Sequence, residues 1–209
     1  MDILEKLEWR YATKQFDSSK ILSEEKVEKL IKAANLTATS FGLQPVKVVL
    51  VENPAVREEL VNHSWGQKQV AEASHLLVIS VFKDLNDTHV DEFVERMAET
   101  RSIPAESLDG MSNMIKGFLS KMNEGQKKEW MTNQAHIVMG NLLTVCAVEE
   151  IDSCPIAGFV PKKYDEVLNL DEDNLESVLV LPVGYRLEED KYANLAKVRM
   201  SDSEFLVRK

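Results

Sequence analysis

The sequence is poor in the residues that build common metal, redox and phosphate-loop sites. Cysteine occurs twice in 209 residues, at Cys146 and Cys154, and this pair matches neither a disulfide framework nor a CxxC pattern. The four histidines are scattered and none belongs to an HExxH motif, so we predict no metal site. The eight glycines form neither GxGxxG nor GxxxxGK[ST], and no GxSxG elbow is present, which argues against a doubly wound dinucleotide fold and against hydrolase chemistry.

Basic residues are also fewer than acidic residues. The chain has 35 acidic and 25 basic residues, giving a formal net charge of −10. Nucleic acids and anionic membranes are bound through basic faces, so neither is an expected partner. No apolar run approaches the ~20 residues of a transmembrane helix, and the start MDILEKLEWR lacks the apolar core of a signal peptide. We expect a cytoplasmic protein with a single domain over residues 1–209.

Helical periodicity is abundant and is interrupted by three β-branched or apolar runs. Strands are predicted at 46–51, 75–82 and about 177–185. Helices are predicted at 3–9, 24–35 after an N-cap at Ser23, 53–63, 67–74, 89–100 and about 127–149, whereas 105–125 is less regular. This irregular alternation predicts an α+β fold with a mixed central sheet flanked by helices. The 127–149 helix is apolar nearly all round, so it requires cover from its own domain or from a second subunit.

Two pairs of cations are the most informative feature of this acidic chain. In RYATKQF, Arg10 and Lys14 point to the same side whether the segment is extended or helical. Lys197 and Arg199, near the other end, share a side if their segment is extended. Taken alone, either pair is better explained as solvated surface charge. Together they become candidates for binding a small anion.

Short motifs in order along nearly the whole chain resemble the nitroreductase family, in its oxygen-insensitive nitroreductase and flavin reductase branch. They are Arg10-Tyr11-x-Thr13-Lys14, SFGLQP at 40–45, Trp65-Gly66-Gln67-x-Gln69, Trp130-x-x-x-Gln134, Pro155-Ile156-x-Gly158-Phe159, PVGY at 182–185 and Lys197-x-Arg199. The resemblance implies an intertwined homodimer whose C-terminal tail wraps the partner. It also implies bound FMN, NAD(P)H as co-substrate, and ping-pong hydride transfer through flavin N5 to a nitroaromatic, quinone or similar small-molecule acceptor.

The resemblance further implies roles for individual residues. Arg10, Lys197 and Arg199 would hold the FMN phosphate, and Lys14 would act catalytically beside the N1 and O2 edge of the flavin. The other expected cofactor contacts are Tyr11, Ala12, Thr39, Ser40, Gly42, Gly66, Gln67, Gln69, Gln134, Pro155, Ile156, Ala157 and Gly158. Among these, the residues of the 39–42 loop and Gln134 would reach the flavin of the other subunit. A backbone N–H of the 155–158 loop would point at N5.

Four aromatic residues are assigned by the same reasoning. Phe41 and Phe118 are candidate walls for a substrate ring, and each is equally open to being ordinary core. Trp65 and Trp130 are expected to pack structurally.

Several positions depart from the family pattern. Gly42 and Gly66 stand where many relatives have asparagine, Ala157 replaces an acidic residue, and Ala12 lacks the usual serine hydroxyl. The departures at Gly42, Gly66 and Ala157 keep one alternative open, a specialised flavoenzyme of the same fold for dehalogenation or for oxidation of a biosynthetic intermediate. A non-catalytic acidic interaction protein is a further alternative.

Overall fold

The structure, a computed structural model, describes residues 2–209 and consists there of helices layered on a four-stranded sheet. The strands are β1 (Val46–Val51), β2 (His75–Phe82), β3 (Asp152–Ser153) and β4 (Leu175–Gly184). The helices are α1 (Ile3–Trp9), α2 (Glu24–Asn35), α3 (Pro54–Asn62), α4 (Gln69–Glu72), α5 (Asp87–Arg101), α6 (Asp109–Leu119), α7 (Glu124–Val148), α8 (Pro161–Val167) and α9 (Asp202–Phe205). Short 3₁₀ turns occupy Ser40–Gly42 and Ala105–Leu108.

The strand order of the sheet is β1-β2-β4-β3, and all three strand pairs are antiparallel. The α+β class is confirmed, but the ladders differ from the expected mixed sheet. Helices α3 and α4 return the chain to the end of β1, so Leu76, the second residue of β2, lies opposite Val51 and β2 runs the opposite way. Parallel pairing within residues 2–209 is limited to an isolated bridge between Ala12 and Ser153.

Strand β2 lies at the centre of the core because it is buried on both faces. Leu77 and Ile79 belong to the cluster that contains Leu142 of α7, whereas Leu76 and Val78 belong to the cluster on the opposite face, with Leu60 of α3. Alternate side chains of a strand point to opposite faces. This double burial explains why HLLVISVF reads as a continuous apolar run.

Helix α7 begins at Glu124, three residues before the expected start, because Asn123 and Gln126 form a capping box. Its sheet-facing side is buried at Ala135 and Leu142. The opposite side is not covered by this chain, and Ile137 is 49% exposed there. The predicted need for cover is therefore met on one side only. No helix in the described range combines the length and the apolar character required to cross a membrane.

Candidate functional site

The basic segment at the start of the chain is extended. Helix α1 ends at Trp9, and Arg10 adopts φ −73° and ψ 144°. Ala12 then bridges to Ser153, and the Thr13 N–H donates to the Ser153 carbonyl at 3.2 Å. These bonds select the extended alternative and carry the segment alongside β3.

Three cations from opposite ends of the chain meet at this segment. The Lys197 ammonium donates to the carbonyl oxygen of Arg10. Burial lowers the pKa of Lys197, and the neighbouring charges of Arg10 and Arg199 lower it further. Burial and Arg199 likewise lower the pKa of Arg10, whose Nε is buried without a hydrogen-bond partner among residues 2–209. Such a cluster is electrostatically suited to a bound anion.

The Lys14 side chain reaches the residue that follows β3. Its Nζ lies 3.8 Å from Sγ of Cys154. Burial raises the pKa of the Cys154 thiol, and this rise is opposed by the Lys14 charge and by a hydrogen bond with Gln69. Lys14 and the buried Gln69 thus converge on the residue just before the 155–158 loop.

The 155–158 loop is fixed on one side by β4. Ile156 exchanges backbone hydrogen bonds with Val180 at 2.8 and 2.9 Å, so the Ile156 N–H is already used. The N–H groups of Ala157 and Gly158 make no backbone hydrogen bond within the described part of the chain. These two are therefore the loop's candidate donors toward a bound group.

The 65–67 turn lies against the same loop. The Gln67 side-chain amide donates to the carbonyl of Gly158 at 2.9 Å. A Cβ placed on Gly158 would lie 2.5 Å from Cζ3 of Trp65, so only glycine allows this close approach. Trp65 itself is 73% exposed, so its expected packing is limited to the surface of this loop. Its left-handed backbone, with φ 55°, continues into Gly66 at φ 72° and directs the indole across the loop.

The 39–44 loop is held by Gln134 of α7. The Ser40 N–H donates to Oε1 of Gln134 at 2.9 Å, and the Gln134 amide donates to the Trp130 carbonyl at 3.2 Å. Within one subunit, Gln134 thus positions the loop that contains Thr39 and Gly42. Its contact with a flavin of another subunit stays a prediction.

The two expected substrate-wall residues contact each other. Phe41 and Phe118 pack edge to face with centroids 5.2 Å apart, and Phe118 meets Trp130 at 6.0 Å. Phe41 is 38% exposed and has a left-handed φ of 58°, an unusual conformation for a bulky residue. The pair therefore forms a partly exposed aromatic surface.

Three further residues in contact with these segments were not identified from the sequence. Arg186 stacks between the rings of Trp9 and Tyr11, with its guanidinium carbon 4.2 and 4.6 Å from their centroids. Its Nε donates to Oδ1 of Asp152 at 2.6 Å. Asp190 accepts from the Tyr11 hydroxyl at 2.9 Å. No short motif marks these residues, because each acts on a segment far away in sequence.

Comparisons with known proteins agree with this fold. The sequence profile of the nitroreductase family matches residues 7–185. SERP2086 of Staphylococcus epidermidis, provisionally named an NAD(P)H nitroreductase, is 30% identical over 213 residues, covering 98% of this chain and 95% of the relative. The chain belongs to the nitroreductase family, as its motifs predicted.

Solved structures share the fold. A nitroreductase family protein of Streptococcus pneumoniae has a TM-score of 0.84 at 25% identity, with 100% of both chains covered. A provisionally named nitroreductase of Exiguobacterium sibiricum, solved in complex with FMN, has a TM-score of 0.83 at 19% identity, covering 100% of this chain and 98% of that one. At 19% identity, the likeness to the FMN complex concerns the fold alone.

Proposed function

We propose that this protein is an FMN-dependent oxidoreductase that transfers a hydride from NAD(P)H to a nitroaromatic, quinone or similar acceptor in ping-pong order. Family membership and the names of the relatives support this proposal. The observation that carries it is the cluster of Arg10, Lys197 and Arg199. FMN, when bound, supplies the hydride and electron transfer chemistry.

The cation cluster fits a phosphate. A buried Nε without a partner and three mutually repelling cations are each relieved by a dianion. A hydrogen bond to a charged group contributes roughly 1.5–3 kcal/mol, and arginine presents a planar fork to phosphate oxygens. Arg10, Lys197 and Arg199 would therefore hold the ribityl phosphate of FMN.

The second group of residues fits the flavin ring. Lys14 would place its charge beside the N1 and O2 edge, where it would stabilise the negative charge that develops during reduction. The amide of Gln69 could donate or accept along the same edge. The unpaired N–H groups of Ala157 and Gly158 are the candidates to face N5. The other expected contacts stay proposals.

The aromatic surface fits a planar substrate. Phe41 is 38% exposed and packs edge to face against the partly buried Phe118. Gln134 keeps the 39–44 loop in place through Ser40. Aromatic rings pair favourably in offset or edge-to-face arrangements. We propose that these two residues contact the acceptor.

The protein is further proposed to be a homodimer. The uncovered side of α7 includes Ile137, β1 is an edge strand, and the C-terminal tail exposes Val198 and Phe205 by 85% and 82%. Apolar surface of this extent marks an interaction site. A second copy would cover α7 and receive the tail. The cytoplasmic location and the single domain stay predictions.

Absorbance spectroscopy of the purified protein tests the proposed function. We expect the protein to bind FMN, and we expect its visible absorption band to bleach with NADH or NADPH and to return when a model nitroaromatic is added. Protein that takes up no added FMN would contradict the proposal. FMN that binds but is reduced by neither nucleotide would contradict the NAD(P)H-dependent reaction.

A further inference from the structure

Asp190 is a buried carboxylate in the segment that follows β4, with an exposed fraction of 1%. Its Oδ2 accepts three hydrogen bonds: from the Tyr11 hydroxyl at 2.9 Å, the Lys14 N–H at 2.8 Å and the Gln15 N–H at 3.2 Å. Its Oδ1 accepts from the Tyr192 N–H at 3.1 Å. Both oxygens are therefore engaged.

None of these four donors carries a charge. Burial raises the pKa of Asp190, but the hydrogen bonds from Lys14, Tyr192 and Tyr11 outweigh that effect and the pKa is lowered overall. A buried anion without a cationic partner is costly unless hydrogen bonds satisfy it in a fixed geometry. The carboxylate consequently holds its donors in place.

The donors belong to two separate parts of the chain. Three of them lie in residues 11–15, the segment that runs between Arg10 and Lys14 and just beyond. The fourth lies in the tail that goes on to Lys197 and Arg199. A backbone bond from Leu187 N–H to the Gln15 carbonyl, at 2.9 Å, runs alongside. One carboxylate thus sets the spacing between the first basic segment and the second.

We infer that Asp190 is a positioning residue that aligns the phosphate-binding cations with Lys14. This inference rests on the proposed function. It assigns Asp190 no contact with FMN or substrate. Its effect is transmitted through the backbone of Lys14 and through the path of the tail.

Asp190→Asn tests the inference, because the amide replaces one accepting oxygen with an NH₂ group that would face an N–H donor. We expect FMN binding to weaken about tenfold, because misaligned cations would lose about one hydrogen bond to the charged phosphate. We also expect the preference for FMN over riboflavin to fall, since the phosphate cations would no longer be aligned with the ring. Fluorescence titration of both flavins measures the two quantities.

Asp165→Asn is the matched control. Asp165 also accepts a backbone N–H, from Ser177 at 2.8 Å, but it lies on α8. This variant should lose thermal stability without any change in the FMN-to-riboflavin ratio. An equal loss of that ratio in both variants would show a purely structural effect and overturn the inference.

Tyr11→Phe keeps the test decisive if Asp190→Asn does not fold. It removes one of the four donors and should weaken FMN binding in the same direction but by less. If Asp190→Asn folds and keeps wild-type FMN affinity, the inference is overturned and the proposed function is not. If Asp190→Asn does not fold, the same result with folded Tyr11→Phe has the same meaning. Wild-type protein that binds no flavin overturns the proposed function, and this inference with it.

Discussion

Replacing Arg10 with methionine is expected to stabilise the flavin-free protein while weakening its binding of FMN. The Nε of Arg10 is buried without a hydrogen-bond partner among the described residues 2–209, and Arg199 and Lys197 lie close to the same guanidinium. An unsatisfied buried polar atom costs about 1–3 kcal/mol. Methionine keeps much of the apolar stem and removes the charge, so the free energy of unfolding should rise by about 1 kcal/mol.

The same change removes a donor to the phosphate. Losing a charge-assisted hydrogen bond of about 1.5–3 kcal/mol corresponds to roughly 10- to 150-fold weaker binding. Urea unfolding followed by circular dichroism measures the first effect in flavin-free protein, and fluorescence titration with FMN measures the second. Opposite signs are the distinctive result, because a substitution that merely damages the fold lowers both stability and affinity.

Arg57→Met is the control for this experiment. Arg57 also has a buried Nε without a partner in the described range, and burial lowers its pKa. Its guanidinium donates to the carbonyl of Ala73, at the end of α4, so its replacement should change stability but leave FMN affinity unaltered. A destabilised Arg10→Met protein with wild-type FMN affinity would refute the reasoning.

Three further predictions concern the ring edge, the loop and the pH response. Lys14→Met should lower the flavin midpoint potential, measured by spectroelectrochemistry, because it removes a positive charge beside the reduced ring. It should weaken FMN binding less than Arg199→Ala does. Equal FMN loss in the two variants with an unchanged potential would contradict this division of roles. Gly158→Ala should shift tryptophan emission by displacing the Trp65 indole. The free energy of unfolding should fall by less than about 1 kcal/mol, because the Trp65 side chain is exposed and can turn aside. An unaltered spectrum would exclude the contact. Burial lowers the pKa of His75 below its ordinary 6.5. The unfolded state therefore binds the proton more readily, and the free energy of unfolding should fall as the pH is lowered from 7 to about 5.5. In urea titrations His75→Asn should flatten that decline, and an equally steep decline would exclude His75 as its source.

Local patterns predicted most of the longer elements because their causes are local, but they did not predict β3, α8 or α9. Ser23 was identified as an N-cap from the pattern after it, and its hydroxyl does accept from the Lys26 N–H at 3.4 Å. Strands β1 and β2 have the predicted bounds, since an apolar or β-branched run and its flanking breakers suffice to define a strand. Helix α7 began earlier than expected because a capping box outside the apolar run decides its start.

Long-range features lay beyond such patterns. Spacing alone could not bring Lys197 to Arg10, and only the family resemblance predicted their meeting, which the structure shows. Asp190 reads in the sequence as one more acid in an acidic tail, although its four hydrogen bonds make it a central residue of the site. Trp65 was expected to pack, and it does so only against this loop, because the left-handed turn places its indole over Gly158 with 73% of the residue exposed.

The proposed function depends on the binding of a flavin phosphate by the cations from both ends of the chain. Comparing the affinities of the wild-type protein for FMN and riboflavin tests it most directly, because the two ligands differ only in that phosphate. Three charge-assisted contacts of about 1.5–3 kcal/mol each predict that FMN binds at least about a thousandfold more tightly, and that high salt reduces the difference. Equal affinities for the two flavins would contradict the claim.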